Sequence, residues 1–308
     1  MSTTNYVLQD VKGIKESFDN ASRIAIMSYA GLPTFMIEET DQFSEIFTST
    51  ESLGGTRELG EHETPDVNNL GDGYSVTLSD VRYGNAIEVT ETDQRKFKDG
   101  SVKVDTYLIR QRDNLLRDVK NKFVTGIHDV YNDGFTGANY VAPDGVELFG
   151  VHSWNTAGAA TWDNSATAAL SATAVDAAME FGGNFKDASG KTFPQTYDTI
   201  FVKLGGTSAR EAKKLFASEI VPDTVNEVNI YEGEFTIVES PYLTDGDAWT
   251  MIDTKAYDIP VYAGIGQMPA LNEPIVQNNQ AIRTNATGYW KIGINNQPFN
   301  MYGSDGTT

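Results

Sequence analysis

The stretch KVDTYLIRQRDNLLRDVKNKFVTGIHDVYN, Lys103 to Asn132, reads as one long helix. Val104, Leu108, Leu115, Val119, Phe123, Ile127 and Tyr131 recur at spacings of four and seven, which lays a continuous apolar stripe along one side. Leu116, Val124 and Val130 widen the stripe. No proline interrupts the run, and Gly126 is its only glycine. Asp133-Gly134 follows, with Gly134 placed for the left-handed position that ends many helices. About 29 helical residues rise about 44 Å, against a mean helix of about 11–12 residues.

The other face carries Arg110, Arg112, Arg117, Lys120 and Lys122, and Arg95, Lys96, Lys98 and Lys103 sit just upstream. This cluster is out of keeping with its surroundings. The chain has 23 Lys+Arg against 43 Asp+Glu, a net charge of −20. Residues 95–122 hold nine basic and four acidic groups, whereas residues 1–94 hold five and 17. Two readings stand. One is a solvated face of mixed charge, into which Asp113 and Asp118 fit. The other is a face that meets a polyanion or the acidic parts of neighbouring chains.

A chain of 308 residues buries a large core and has room for two domains. With 40% hydrophobic and 21% charged residues it is neither disordered nor membrane-embedded. No run approaches the ~18–20 apolar residues of a membrane span. The start, Met-Ser-Thr-Thr-Asn-Tyr, shows no basic region followed by an apolar one, so synthesis in a cytoplasm is expected. The chain has no cysteine, which removes disulfides and thiolate metal sites. The acidic balance argues against general nucleic-acid binding by the outer surface.

Residues 1–45 mix short amphipathic pieces, with Val7, Val11, Ile14 and Phe18 at helical spacing. Such an arm lies either on its own body or on a neighbouring subunit. Residues 46–94 read as an extended, acidic, hairpin-like excursion. Tyr74, Val76 and Leu78 alternate with polar residues, and Ile87 and Val89 resume the alternation after a break at Tyr83-Gly84-Asn85. A two-stranded ribbon this poor in apolar residues is marginal alone and has to lean on another surface. Residues 135–170 are rich in small residues, with a turn and short strand at Asp144–Phe149 and anchors at Trp154 and Trp162. From Ser171 the pattern becomes α/β: a Ser171-capped helix to Phe181 ended by Gly182-Gly183, a strand over 199–204, and a capping box at Ser208 opening a second helix. Strands follow over 235–238, 248–252 and 285–295, and the tail from Gly303 is polar and loose.

Signs of catalysis are missing from the sequence. His62, His128 and His152 stand in three separate contexts, with no His-Glu-x-x-His. The glycine pairs complete no phosphate loop, and no G-x-S-x-G elbow occurs. The reading assigns no catalytic residue, cofactor or metal.

The order of the parts is the informative feature: arm, acidic extended loop, long helix, small-residue loop, α/β domain, return strand. That order resembles the major capsid proteins of tailed bacteriophages with the Hong Kong ninety-seven fold. Three local stretches are similar to the branch of Mu-like major head subunits: Tyr83-Gly-Asn-Ala-Ile-Glu-Val-Thr-Glu, then Asp144-Gly-Val-Glu-Leu-Phe with His152-Ser, then Ser240-Pro-Tyr-Leu-Thr-Asp with Ala248-Trp. The resemblance implies an α+β fold. Residues 1–45 would be an N-arm, 46–94 an E-loop, and 95–170 a P-domain built on the spine helix over 103–132. Residues 171–260 would be an A-domain, and 261–308 return strands to the P-domain with a C-terminal tail.

It also implies a non-enzymatic subunit that forms the hexamers and pentamers of an icosahedral virion shell, assembled in the host bacterial cytoplasm around double-stranded DNA, with a portal and no membrane. Some relatives cross-link through an E-loop lysine, and here no lysine lies between Lys15 and Lys96. Some carry a fused scaffolding segment; here the arm starts at Met1, so a separate scaffold protein is expected. The basic residues Arg95, Lys96, Lys98, Arg110, Arg112, Arg117, Lys120 and Lys122 would face the DNA-filled lumen or pair with acidic loop residues such as Glu58, Glu61 and Glu63 of a neighbour. Two alternatives remain: an encapsulin-type nanocompartment shell, and an acidic cytoplasmic α/β enzyme with its site in the 135–170 loop.

Overall fold

The computed structural model describes residues 3–29, 32–50, 72–154, 161–218, 229–255 and 259–307. Helix α1 (Thr3–Met27) is one element of 25 residues rather than several short pieces. It contains no proline, and its only glycine is Gly13. It docks on its own body. Phe18 and Ile26 are buried, Ser22 Oγ donates to Pro269 O at 2.7 Å, and the Leu271 N–H donates to Asp19 at 2.9 Å.

Strand β1 (Met36–Glu39) follows, then β2 (Ser44–Thr50) and β3 (Asp72–Ser79), which pair antiparallel as a ribbon. The remainder of the expected excursion, including Glu58, Glu61, His62 and Glu63, lies outside the described residues. Strand β4 (Val81–Val89) corrects the hairpin reading: it runs unbroken through Tyr83-Gly84-Asn85 and leaves the ribbon for the main sheet. Helix α2 (Glu91–Lys98) is capped by Thr90, whose Oγ1 accepts from the Asp93 N–H at 3.2 Å.

Helix α3 (Val104–Asn132) is the long helix, 29 residues as the stripe requires. Leu108, Leu115, Val119, Phe123, Val124, Ile127, Val130 and Tyr131 are buried along it. Its end departs from expectation. Gly134 keeps a negative φ, and Asp133 closes the helix in the right-handed region. The Asp133 carboxylate accepts from the N–H groups of Ala138, Asn139 and Tyr140 and folds the chain back. An acceptor side chain thus does what the left-handed glycine was expected to do.

Strands β5 (Val151–Ser153) and β6 (Thr161–Asp163) pair antiparallel, and β7 (Ser165–Ala166) follows. Leu148 and Phe149 are buried without forming the expected strand. Ser171 caps α4 (Ala172–Asn184), but the helix continues through Gly182-Gly183. Gly182 serves close approach: a Cβ there would lie 2.7 Å from Gln195 O and 2.9 Å from the Tyr197 ring. Strand β8 (Thr199–Lys203) leads into α5 (Thr207–Phe216). The capping box is not used. Gly206 is the N-cap, and Ser208 Oγ donates to the Asp247 carbonyl from within the first turn. Strands β9 (Thr236–Ser240), β10 (Trp249–Ile252), β11 (Val261–Leu271), β12 (Ile275–Val276), β13 (Ile282–Ile294) and β14 (Met301–Ser304) complete the chain.

The first sheet runs β1-β11-β13, with β4 antiparallel on the far side of β13 and β12 pairing where β11 has ended. Helix α3 lies across it. Phe123 meets Trp290 edge-on at 5.7 Å, and Trp290 stacks on Tyr83 at 4.2 Å. The second sheet has the order β7-β14-β10-β8-β9. Alternate residues point to opposite faces. Ile200, Val202 and Met251 therefore pack with α4 and α5, while Phe201 and Ile252 join the core around α3. Phe201 reaches Tyr131 at 4.9 Å and Phe35 at 5.8 Å, which ties the C-terminal end of α3 to both sheets. Gly303 and Ser304, expected in a loose tail, are instead buried in the inner strand β14 between β7 and β10, and residues 305–307 follow it without regular structure.

The two glycines of α4 give a paired test. Gly182→Ala should destabilise the fold by about 1–3 kcal/mol through overpacking. Gly183→Ala, with nothing within 4 Å of the new Cβ, should be neutral or stabilise by about 0.5–1 kcal/mol. Urea unfolding of the two variants measures the contrast.

Candidate assembly surface

The basic residues do not share one face. Arg110 and Arg117 are exposed and lie seven residues apart on one line of α3, opposite the stripe. Arg117 donates to Asn114 at 3.1 Å. Arg112 is turned to the seam with α1, where it bonds Ser17 at 2.6 Å and Asp113 at 2.7 Å. Lys120 lies over the Tyr29 ring at 5.5 Å and Lys122 over the Tyr83 ring at 5.8 Å, on opposite flanks of the helix. Arg95 and Lys96 belong to α2 and pair with Glu91 at 2.7 Å and Asp93 at 3.4 Å, while Lys98 is exposed. Such exposed pairs along a helix are worth only a few tenths of a kcal/mol. Among the described residues Lys98, Arg110 and Arg117 make no ion pair.

The ribbon is held at its base by a buried charge that sequence reading passed over. Lys291, on β13, is fully buried. Its Nζ donates to Gln42 O at 2.5 Å and lies 3.3 Å from Glu45 Oε1 and 3.6 Å from Asp80 Oδ1. Gln42 and Glu45 precede or begin one leg of the ribbon, and Asp80 ends the other. Three oxygens therefore surround one ammonium, the Gln42 carbonyl as a hydrogen-bond acceptor and the two carboxylates as ion-pair partners. Tyr262 donates its hydroxyl to Glu45 Oε2 at 2.9 Å, and Thr40 donates to Glu45 Oε1. Burial pushes the Glu45 carboxyl up, but hydrogen bonds from Thr40, Tyr262 and Lys291 and the charge of Lys291 outweigh it, so Glu45 titrates below the usual carboxylate value. The close approach depends on Gly266, where a Cβ would fall 2.0 Å from Asp80 Oδ2. The signal in the sequence was a lone lysine inside the apolar second half of the strand, Gly288 to Ile294.

The two described histidines are buried structural groups. His128 Nδ1 bonds Val124 O and His128 Nε2 bonds Ser240 Oγ, each at 2.7 Å, which joins α3 to β9. Burial lowers its pKa, against smaller opposing effects of the Val124 carbonyl and Asp129. His152 Nδ1 bonds Asp144 Oδ2 at 3.0 Å, both side chains buried, and so fastens the 144–153 loop. Burial pushes the Asp144 carboxyl up, but His152 and the N–H groups of Ser153 and Val146 outweigh it and hold it below the ordinary value. Among the described residues no group of His, Cys, Asp and Glu is set to hold a metal ion. No described helix is long and apolar enough to cross a membrane.

The family pattern described as phage capsid protein matches residues 79–294, more than half of the chain. The chain belongs to the phage capsid protein family. A search of curated proteins gives no match. Among solved structures, the acidic stable capsid of Helicobacter pylori bacteriophage KHP30 aligns with TM-score 0.50 and 9% identity, over 88% of this chain and 86% of that one. The bacteriophage JBD30 capsid aligns with TM-score 0.50 and 11% identity, over 70% of this chain and 91% of that one. The virus-like particle from Pyrococcus furiosus aligns with TM-score 0.48 and 10% identity, over 94% and 98%. This capsid protein therefore has the expected α+β capsid fold and a structural role in the virion shell.

Two predictions come from the buried groups. Lys291→Met strands Glu45 and Asp80 in the interior and should cost about 3–5 kcal/mol in chemical unfolding of the unassembled capsid protein. Adding Glu45→Gln and Asp80→Asn should recover most of that loss. The second concerns acid. His128 has a folded pKa below its unfolded value of about 6.5, so its contribution is present above that pH and is lost as pH falls below it. Glu45 and Asp144, also depressed, contribute stability above about pH 4 that is lost on further acidification. Melting temperature against pH should fall in two stages, and His128→Gln should flatten the upper one.

Proposed function

We propose that this capsid protein is the major head subunit of a tailed phage. It assembles through hexamers and pentamers into an icosahedral shell around double-stranded DNA, and the quoted sequence stretches favour the Mu-like branch. The observation that carries this reading is a division of charge. Residues 95–122 are net basic, and Arg110 and Arg117 have no acidic partner among the described residues. The sequence between β2 and β3 holds Glu51, Glu58, Glu61, Glu63 and Asp66 against one arginine. Acidic loop and basic helix then meet between copies, where closed rings of head-to-tail contacts build a shell.

In this reading residues 1–45 are the arm, 46–94 the extended loop, 95–170 the peripheral domain with its spine helix, 171–260 the axial domain and 261–308 the return. The Lys291 cluster fixes the loop's base. Packaged DNA meets the shell through non-specific, salt-dependent contacts. A portal and a separate scaffold complete the assembly in the host bacterial cytoplasm. The family match favours this reading over an encapsulin-type compartment.

The double variant Arg110→Gln/Arg117→Gln tests the role of the basic line. Pairing between copies predicts that shell yield, read by sedimentation and negative-stain microscopy, falls by roughly tenfold, the effect of about 1.4 kcal/mol. Empty shells at normal yield with reduced DNA filling would reverse the assignment and place these arginines at the lumen.

A further inference from the structure

The main sheet ends on an open edge. Strand β4 pairs with β13 along its whole length, Val81 against Trp290 through Val89 against Ile282. Among the described residues no strand pairs with its other side. The register tells which groups face out. Opposite residues of an antiparallel ladder alternate between bonded and non-bonded pairs. The Asn285 carbonyl accepts from Asn272 on the β11 side, so the pair Asn285–Ala86 is of the non-bonded kind. By the same alternation Arg82, Gly84, Ala86 and Glu88 turn their N–H and C=O groups away from β13. The Ala86 N–H confirms the direction. It donates to the side-chain oxygen of Asn85 at 2.7 Å, so a side-chain amide stands where the carbonyl of an added strand would stand.

The ground beside this edge is suited to an extended chain. A groove of about 310 Å³ runs between β4 and α3, lined by Asn85, Gln111, Asn114, Arg117, Asp118 and Asn121. Amide side chains of this kind both donate and accept, as a peptide backbone requires. At the start of the strand Val81 is 51% exposed, and Phe43, whose carbonyl takes the Asp80 N–H at 2.8 Å, is 65% exposed. Arg82, Arg117 and Lys122 border the edge beside Glu88 and Asp118, the latter accepting from the Asn85 amide at 2.8 Å, so the edge is net positive in a chain of net charge −20. A long unpaired edge is a template for another chain unless it is covered or blunted. Here the edge carries no proline and no bulge.

We propose that the outer edge of β4 is an interface between copies of this chain, completed by β-augmentation. An extended acidic segment of a second copy adds as a strand at Arg82, Gly84, Ala86 and Glu88, and displaces the Asn85 side chain from the Ala86 N–H. The occupant is a second copy because the cations along the edge match the acidic remainder of the same sequence, and because the family builds shells. The proposal rests on the shell reading above and goes further by naming the strand and the backbone groups that carry the contact.

Proline separates the edge from the fold. Glu88→Pro removes only an outward N–H, whereas Ile87→Pro removes a bond to β13. With wild-type protein forming shells, Glu88→Pro should keep its melting temperature and lose shell yield by roughly tenfold or more. Normal shell yield from folded Glu88→Pro protein would overturn the proposal. Should Glu88→Pro fail to fold, a second measurement decides. The chain has no cysteine, so Glu88→Cys carries a single photo-cross-linker. Cross-links within shells that map to an acidic segment of this same sequence support the proposal. Cross-links only to other proteins, or none between copies, overturn it. Wild-type protein that forms no particle at all defeats the shell reading instead.

Discussion

The structure depends on the burial of one side of α3 against the sheet β11-β13-β4. Phe123, Trp290 and Tyr83 interlock there, and the stripe continues past Ile127 to Tyr131, where Phe35 and Phe201 bring in the second sheet. Fully burying one large apolar side chain contributes about 1.5–3 kcal/mol, and the helix buries eight such residues along its length. The 29-residue helix α3 and the 13-residue strand β13 thus pack against each other. Everything else hangs from them: α1 lies along α3, the ribbon is tied to β13, and the helical layer with α4 and α5 covers the far side of the second sheet.

The ribbon is attached by a different kind of interaction. Its base has few apolar residues to bury, so a buried ammonium holds it through three oxygens on its two legs. The charged hydrogen bond in this attachment is directional where apolar burial is not. Breaking it leaves uncompensated charge inside the protein, which fixes the ribbon's exit angle more sharply than a few side-chain contacts would. At α1, by contrast, Ile14, Phe18 and Ile26 pack on the chain's own core.

Charge is also unevenly placed on the subunit. The basic residues of α2 and α3 sit in an acidic chain, but the structure divides them into three groups. Some are used at once, as with Arg112 at Ser17 and Asp113. Some cover aromatic rings, as with Lys120 and Lys122. Arg110 and Arg117 stay exposed on the outer line of the helix. The open edge of β4 lies beside that line, so backbone donors and acceptors and exposed cations occupy one side of the subunit.

The sequence by itself determined the long helix, because a stripe at spacings of four and seven without proline leaves few alternatives. It also determined β3, β8, β9, β10 and β13 in outline, through alternation and short apolar runs, and the order of parts that resembles a capsid protein. It could not determine where β4 belongs, since Ile87 and Val89 alternate equally well in a ribbon or in a sheet. Nor did it show that Gly182 is wanted for contact with Tyr197, that Ser208 bonds Asp247 rather than capping, or that Asp133 replaces a left-handed Gly134. Gly303 and Ser304 of the polar tail joined an inner strand because β10 and β7 offer them ladder bonds from both sides. Lys291 became the anchor of the ribbon because Gln42, Glu45 and Asp80, far apart in the chain, converge on it. Local spacing fixes what a segment is when its periodicity is long; partners distant in sequence fix what it does, because hydrogen bonds and ion pairs are made between surfaces that only the folded chain brings together.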